Sequence, residues 1–163
     1  MRYKPHMHLA EWLKASSEIE CHPASLAEVA ILERRYGVVL PDDFRTYLLE
    51  AMPACGGNMD DAHTIWWEAE LIKSIPDEHA NSQYGPHKFK NAEVAAEEDV
   101  YLYFADYCIW IWAWAINCGQ GVNRGRIVRI DGAKDGFVAD SFSEFVGYYL
   151  HNVGWPKNPL PSP

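Results

Sequence analysis

The stretch Tyr101-Leu102-Tyr103-Phe104-Ala105-Asp106-Tyr107-Cys108-Ile109-Trp110-Ile111-Trp112-Ala113-Trp114-Ala115-Ile116-Asn117 decides the fold class. Its two halves, Tyr101–Tyr107 and Ile109–Asn117, are dense in aromatic and β-branched residues and predict two adjacent strands. Downstream, Gly119-Gln120-Gly121 and Gly125 turn the chain into Arg126-Ile127-Val128-Arg129-Ile130. Asp131-Gly132 is a turn signal, and Gly136–Asp140 predicts one more strand. Ser141 and Glu144 then stand at capping-box spacing, and Phe142, Phe145, Val146, Tyr149 and Leu150 follow a helical stripe. Residues 156–163 hold four prolines in eight positions and predict a tail.

Upstream, Thr64-Ile65-Trp66-Trp67-Glu68 predicts a strand, and Leu71–Ile75 a short segment that Pro76 stops. Residues 76–99 are polar and predict a long loop with one helical turn. Three helices come first. Residues 6–15 carry Leu9, Trp12 and Leu13 on one face. Ser25 and Glu28 form a second capping box ahead of Leu26, Val29, Leu32 and Tyr36, and Gly37 offers a left-handed stop. Glu33 falls within that stripe, so its carboxylate is expected to be hydrogen-bonded to a neighbouring loop. Pro41-Asp42-Asp43 opens the third helix, with acids at the positive end of its dipole and Phe44, Tyr47, Leu48 and Ala51 facing inward. Helices, then a group of strands, then one helix define an α+β domain with a mostly antiparallel mixed sheet and a C-terminal helix packed on it. Residues 1–155 are read as one domain.

Composition narrows the function. The chain has 163 residues and a net charge of −9, from 14 basic and 23 acidic residues. A nucleic-acid binder built on a basic face does not fit that balance. No apolar run approaches the roughly 20 residues of a membrane span, and the start has no signal-peptide core, so a cytoplasmic protein is expected. The cysteines at 21, 55, 108 and 118 form no C-x-x-C pair, which gives a zinc site no support. Reduced thiols are expected, with Cys108 and Cys118 as possible cross-strand neighbours. Seven histidines include no H-E-x-x-H, and no nucleophile elbow, phosphate loop or dinucleotide fingerprint is present. No catalytic residue, metal or cofactor is assigned.

Two stretches together resemble a known family. Leu32-Glu33-Arg34-Arg35-Tyr36-Gly37-Val38-Val39-Leu40-Pro41-Asp42-Asp43-Phe44-Arg45, closing at Cys55-Gly56-Gly57, is similar to the opening of the SUKH superfamily, of the SMI/KNR type. Phe104-Ala105-Asp106-Tyr107 with Trp112-Ala113, then Val138–Phe145, resembles its later signature. Cys55 departs from the asparagine usual there. The resemblance implies a non-catalytic protein-binding module. Its bacterial members are mostly immunity proteins that neutralise a polymorphic toxin, often a nuclease, and its eukaryotic members are scaffold-like regulators of cell-wall assembly. A cognate toxin domain of basic character is thus the expected partner, and an endogenous protein bound by a regulatory scaffold is the alternative.

The alternation of Trp110, Trp112 and Trp114 with smaller residues places three indoles on one face of a strand. That face is either a platform for a partner or core beneath the helices. Trp66 and Trp67 point to opposite faces of their own strand. The acids in the middle of the chain form either a solvated surface or one aimed at a basic partner. The expected contact site is the exposed side of the strands near Trp66, Glu68, Asp106, Tyr107, Trp110 and Trp112, with Glu97, Glu98 and Asp99 at its rim. Recognition favours a desolvated aromatic centre ringed by charge, and both residue types lie close in sequence there.

Overall fold

The computed structural model describes residues 4–83, 88–131 and 135–155. Three helices open the chain: α1 (Pro5–Ser17), α2 (Leu26–Tyr36) and α3 (Asp42–Ala51). They are followed by β1 (Thr64–Trp66), β2 (Lys73–Ser74), α4 (Ile75–His79), α5 (Ala92–Ala96) and a 3₁₀ turn at Glu98–Val100. The strands β3 (Tyr101–Tyr107), β4 (Trp112–Asn117), β5 (Ile127–Ile130) and β6 (Gly136–Ala139) lead into α6 (Phe142–Asn152). The α+β class holds, and the pairings among the described strands are all antiparallel. The sheet order is β1-β3-β4-β5-β6, with β2 beside β1 on the same edge of β3. The predicted turn at Gly132, the Gly85-Pro86 pair and the proline tail 156–163 lie outside the described residues.

The local signals form what they specify. Ser25 Oγ accepts the Glu28 N–H and the Glu28 carboxylate accepts the Ser25 N–H, so each end of the capping box satisfies a free donor. Gly37 closes α2 at φ 63°, where a side chain would strain the backbone. Ser141 caps α6 through the Glu144 N–H. Asp43 accepts its neighbour's N–H at the start of α3 and also that of Ser143, which joins the N-termini of α3 and α6.

One sheet face and helices α1, α3 and α6 enclose an aromatic core. Phe44 and Tyr47 of α3 meet Phe142 of α6, and Phe145 reaches Phe104, Trp66 and Trp114. A register shift between Tyr103 and Ala105 makes Phe104 a bulged residue. The bulge changes which side of β3 faces the helices. Tyr103 therefore lies on the opposite face, bonded to His79 of α4 and in contact with Trp67. Ala113, Ala115 and Val128 are fully buried, and both sheet faces are covered.

Several local expectations change. The extended segment ends at Ser74 ahead of Pro76, as expected, but Pro76 itself sits in the first turn of a further helix, α4, where its missing N–H costs nothing. The stretch 76–99 holds two short helices and a 3₁₀ turn, more order than one helical turn. Leu26 is 67% exposed because it begins α2 on the outer side. Glu33 pairs with Arg45 of α3 at 3.1 Å, a helix rather than a loop. Cys108 and Cys118 stand at opposite ends of β4 and are not cross-strand neighbours; all four thiols are free.

Candidate protein-binding surface

The connection from β3 to β4 defines the surface. Predicted β4 begins at Ile109, but the strand starts only at Trp112, and residues 108–110 turn with positive φ. Trp110 consequently leaves the strand, and the three indoles do not share one face. Its backbone N–H donates to Asp106 Oδ1 at 3.1 Å, and its ring folds over Tyr103 with a centroid distance of 4.9 Å. Trp67 donates its indole N–H to Asp106 Oδ2 at 2.7 Å. One carboxylate thus fixes both the turn and the indole beneath it.

Trp112 and Trp114 do share a face, with different outcomes. Trp114 is buried against Phe145 of α6. Trp112 lies at the margin of the helical layer, stacked on Tyr107 at 4.0 Å with planes 7° apart. The Arg129 guanidinium covers it at 4.3 Å, a cation–π contact that Asp131 steadies at 2.6 Å. Tyr107, Trp110 and Trp112 are half-buried and gather at this end of the sheet.

Trp66 is 1% exposed and Asp106 is 4% exposed, which corrects their assignment as contact residues. Burial between sheet and helices removes Trp66 from any partner, and Asp106 spends its oxygens on Trp67 and Trp110. Trp66 and Trp67 do lie on opposite faces, each among its own set of rings. Glu68 is half-buried and lines a cavity of about 190 Å³ with Gly56, Gly57, Trp67, Lys73 and Glu78.

The acids 97–99 are not a rim around these aromatics. They precede the first residue of β3, whereas Tyr107 is its last. Seven residues at about 3.3 Å each put the two groups roughly 20 Å apart. Glu97 is also engaged internally, accepting from Asn117 and Asn123. Glu98 is half-buried and Asp99 exposed.

Sequence reasoning missed two buried or outward features. Asp60 is 4% exposed and accepts four donors: the N–H groups of Ala62 and Thr64, the Trp66 indole and the Tyr149 hydroxyl. The Asp60-Asp61-Ala62 run carried an Asx-turn signal for the first of these. Burial, with Asp60 adjoining, pushes the Tyr149 hydroxyl well above its ordinary range. The other feature is the outward apolar pair Ile109 and Ile111, at 77% and 57% exposure. Among the described residues, no group of three or more His, Cys, Asp or Glu is placed to hold a metal, and no helix is long and apolar enough to cross a membrane.

The sheet, covered on both faces and carrying an exposed apolar turn at one end, gives an α+β fold. The SMI1 / KNR4 family model (SUKH-1) matches residues 23–147, and the chain belongs to that family. No curated protein matches the chain.

Proposed function

We propose that this chain is a non-catalytic immunity protein that neutralises a polymorphic toxin domain by one-to-one contact in the cytoplasm. Membership of the SMI1 / KNR4 family over residues 23–147 carries the reading, since the family implies a protein-binding module. The free thiols suit a reducing compartment. Glu68, Tyr107, Trp110 and Trp112 remain the expected contact residues, with Tyr107 and Trp112 at the helical margin and Trp110 over the opposite side of the sheet. Glu98 and Asp99, at the far end of β3, act at longer range on a basic toxin, and the net charge of −9 favours such an encounter.

The test is a pull-down with the product of the neighbouring gene, followed, where that product is a toxin domain, by titration of its activity. Toxin activity should fall linearly and vanish at equimolar protein, with intact toxin recovered after dissociation. Permanent inactivation by sub-stoichiometric protein would overturn the binding-module reading.

A further inference from the structure

Five non-glycine residues among those described adopt positive φ, and four of them meet at one end of the sheet. Glu18 merely ends α1. The others are His63 at 66°, Cys108 at 47°, Ile109 at 54° and Trp110 at 66°. In this region the Cβ of an L residue crowds the following carbonyl, and a β-branched side chain makes the crowding worse. Three such residues in succession are strained unless their surroundings hold them.

The surroundings do hold them. The Cys108 N–H donates to the His63 carbonyl at 2.8 Å, which ties the two strained turns together. Asp106 anchors the Trp110 backbone, and Tyr103, Trp67 and His79 pack around the Trp110 ring. With Trp110 drawn inward, Ile109 and Ile111 on either side project into solvent. Ile109 strains the backbone and buries little in return. Glycine would suit its conformation better, and a polar residue at 111 would forfeit little burial. The turn seats Trp110, but an isoleucine kept at a strained position where its own side chain is 77% exposed points to a use outside the chain.

We infer that the β3–β4 turn is a preformed wedge that inserts Ile109 and Ile111 into an apolar pocket on a folded protein partner. The inference rests on the protein-binding reading above and adds the point of entry. A convex tip requires a concave apolar site. Because the turn is already ordered, little conformational entropy is lost on docking. A protein pocket suits it better than a bilayer, since a chain of charge −9 is repelled by anionic headgroups.

The experiment compares the wild type with Ile109→Gly, Ile111→Ser, the double variant and Ile109→Val. Thermal unfolding, affinity for the toxin domain recovered in the pull-down above, sedimentation velocity and co-sedimentation with phosphatidylcholine–phosphatidylglycerol vesicles are measured. Ile109→Gly should raise the unfolding midpoint yet weaken toxin binding by about tenfold or more, mostly through faster dissociation. Ile111→Ser should weaken binding with the midpoint unchanged, the double variant should lose more, and Ile109→Val should retain most of the affinity. A lowered midpoint for Ile109→Gly would make the turn a structural element and end the proposal. So would variants that bind like the wild type, a wild-type dimer that Ile111→Ser dissolves, or vesicle binding that the variants abolish. If the wild type binds toxin and the variants match it, the wedge alone fails. If the wild type does not bind toxin, the immunity reading fails and removes the wedge's occupant with it.

Discussion

Tyr149 of α6 donates its hydroxyl to Asp60 Oδ2 at 2.5 Å, across 89 positions of sequence. The same oxygen accepts the Trp66 indole N–H at 2.9 Å, while Oδ1 holds the Ala62 and Thr64 N–H groups. The turn before β1, the strand's buried indole and the last helix therefore converge on one carboxylate. Each carboxylate oxygen accepts two donors, so the buried side chain of Asp60 is well satisfied.

Asp60→Ala should lower stability by about 3 kcal/mol or more. It leaves buried donors without an acceptor, at about 1–3 kcal/mol for each unsatisfied group. Tyr149→Phe, which removes one charge-assisted bond and keeps the ring, should cost only about 1.5–3 kcal/mol. Urea unfolding of both variants checks the order; equal losses would mean that Tyr149 carries the contact alone.

Phe145→Ala should cost about 3–5 kcal/mol, the usual range for emptying an aromatic core site. Phe145 is 5% exposed and touches Trp66, Phe104, Trp114 and Tyr149. A loss under about 1 kcal/mol in the same unfolding assay would mean that α6 is not seated on the sheet.

Arg124→Lys should loosen the loop between β4 and β5. The guanidinium donates to the carbonyls of Val39, Leu40, Cys118 and Gly119, bridging that loop to the segment before α3. A single ammonium cannot reproduce that planar set of donors. The expected loss is about 1.5–3 kcal/mol, with faster amide exchange over residues 118–126 and little change in α1.

Burial pushes the Cys55 thiol up to about 11 and the Cys118 thiol up to about 12. Both raised values mean that the folded state keeps its protons longer than the unfolded chain, whose thiols ionise near 9. Their contribution to stability is thus complete below pH 9 and lost as pH rises through 11 to 12. Denaturation midpoints measured from pH 8 to 11 should fall more steeply for the wild type than for a Cys55→Ala, Cys118→Ala variant. In the native protein at pH 8, a thiol reagent should modify half-buried Cys21 and Cys108 well before the other two.

Charge reversal at Glu98 and Asp99 should slow association with a basic toxin at low salt and have little effect at high salt, because a Debye length of about 8 Å at physiological strength screens them. Stopped-flow association at two ionic strengths is the measurement. Glu97→Lys differs in kind: it breaks the bonds to Asn117 and Asn123 and should destabilise the fold as well.

The four longer helices, the caps of α2 and α6 and the class of fold were legible in local sequence. A capping box joins residues three apart, and an amphipathic stripe spans a few turns, so Ser25 with Glu28 and Ser141 with Glu144 were legible locally. The aromatic density of residues 101–117 marked the central hairpin, and the ordered motifs marked the family. How those aromatics divide between the two faces depends on long-range contacts. The bulge at Phe104 resets the faces of β3, and the left-handed turn at 108–110 takes Trp110 out of β4. The bonds that set these choices join distant residues, Trp67 to Asp106 across 39 positions and Tyr149 to Asp60 across 89. Which face an indole ends on depends on contacts with residues far along the chain, and no local period encodes that.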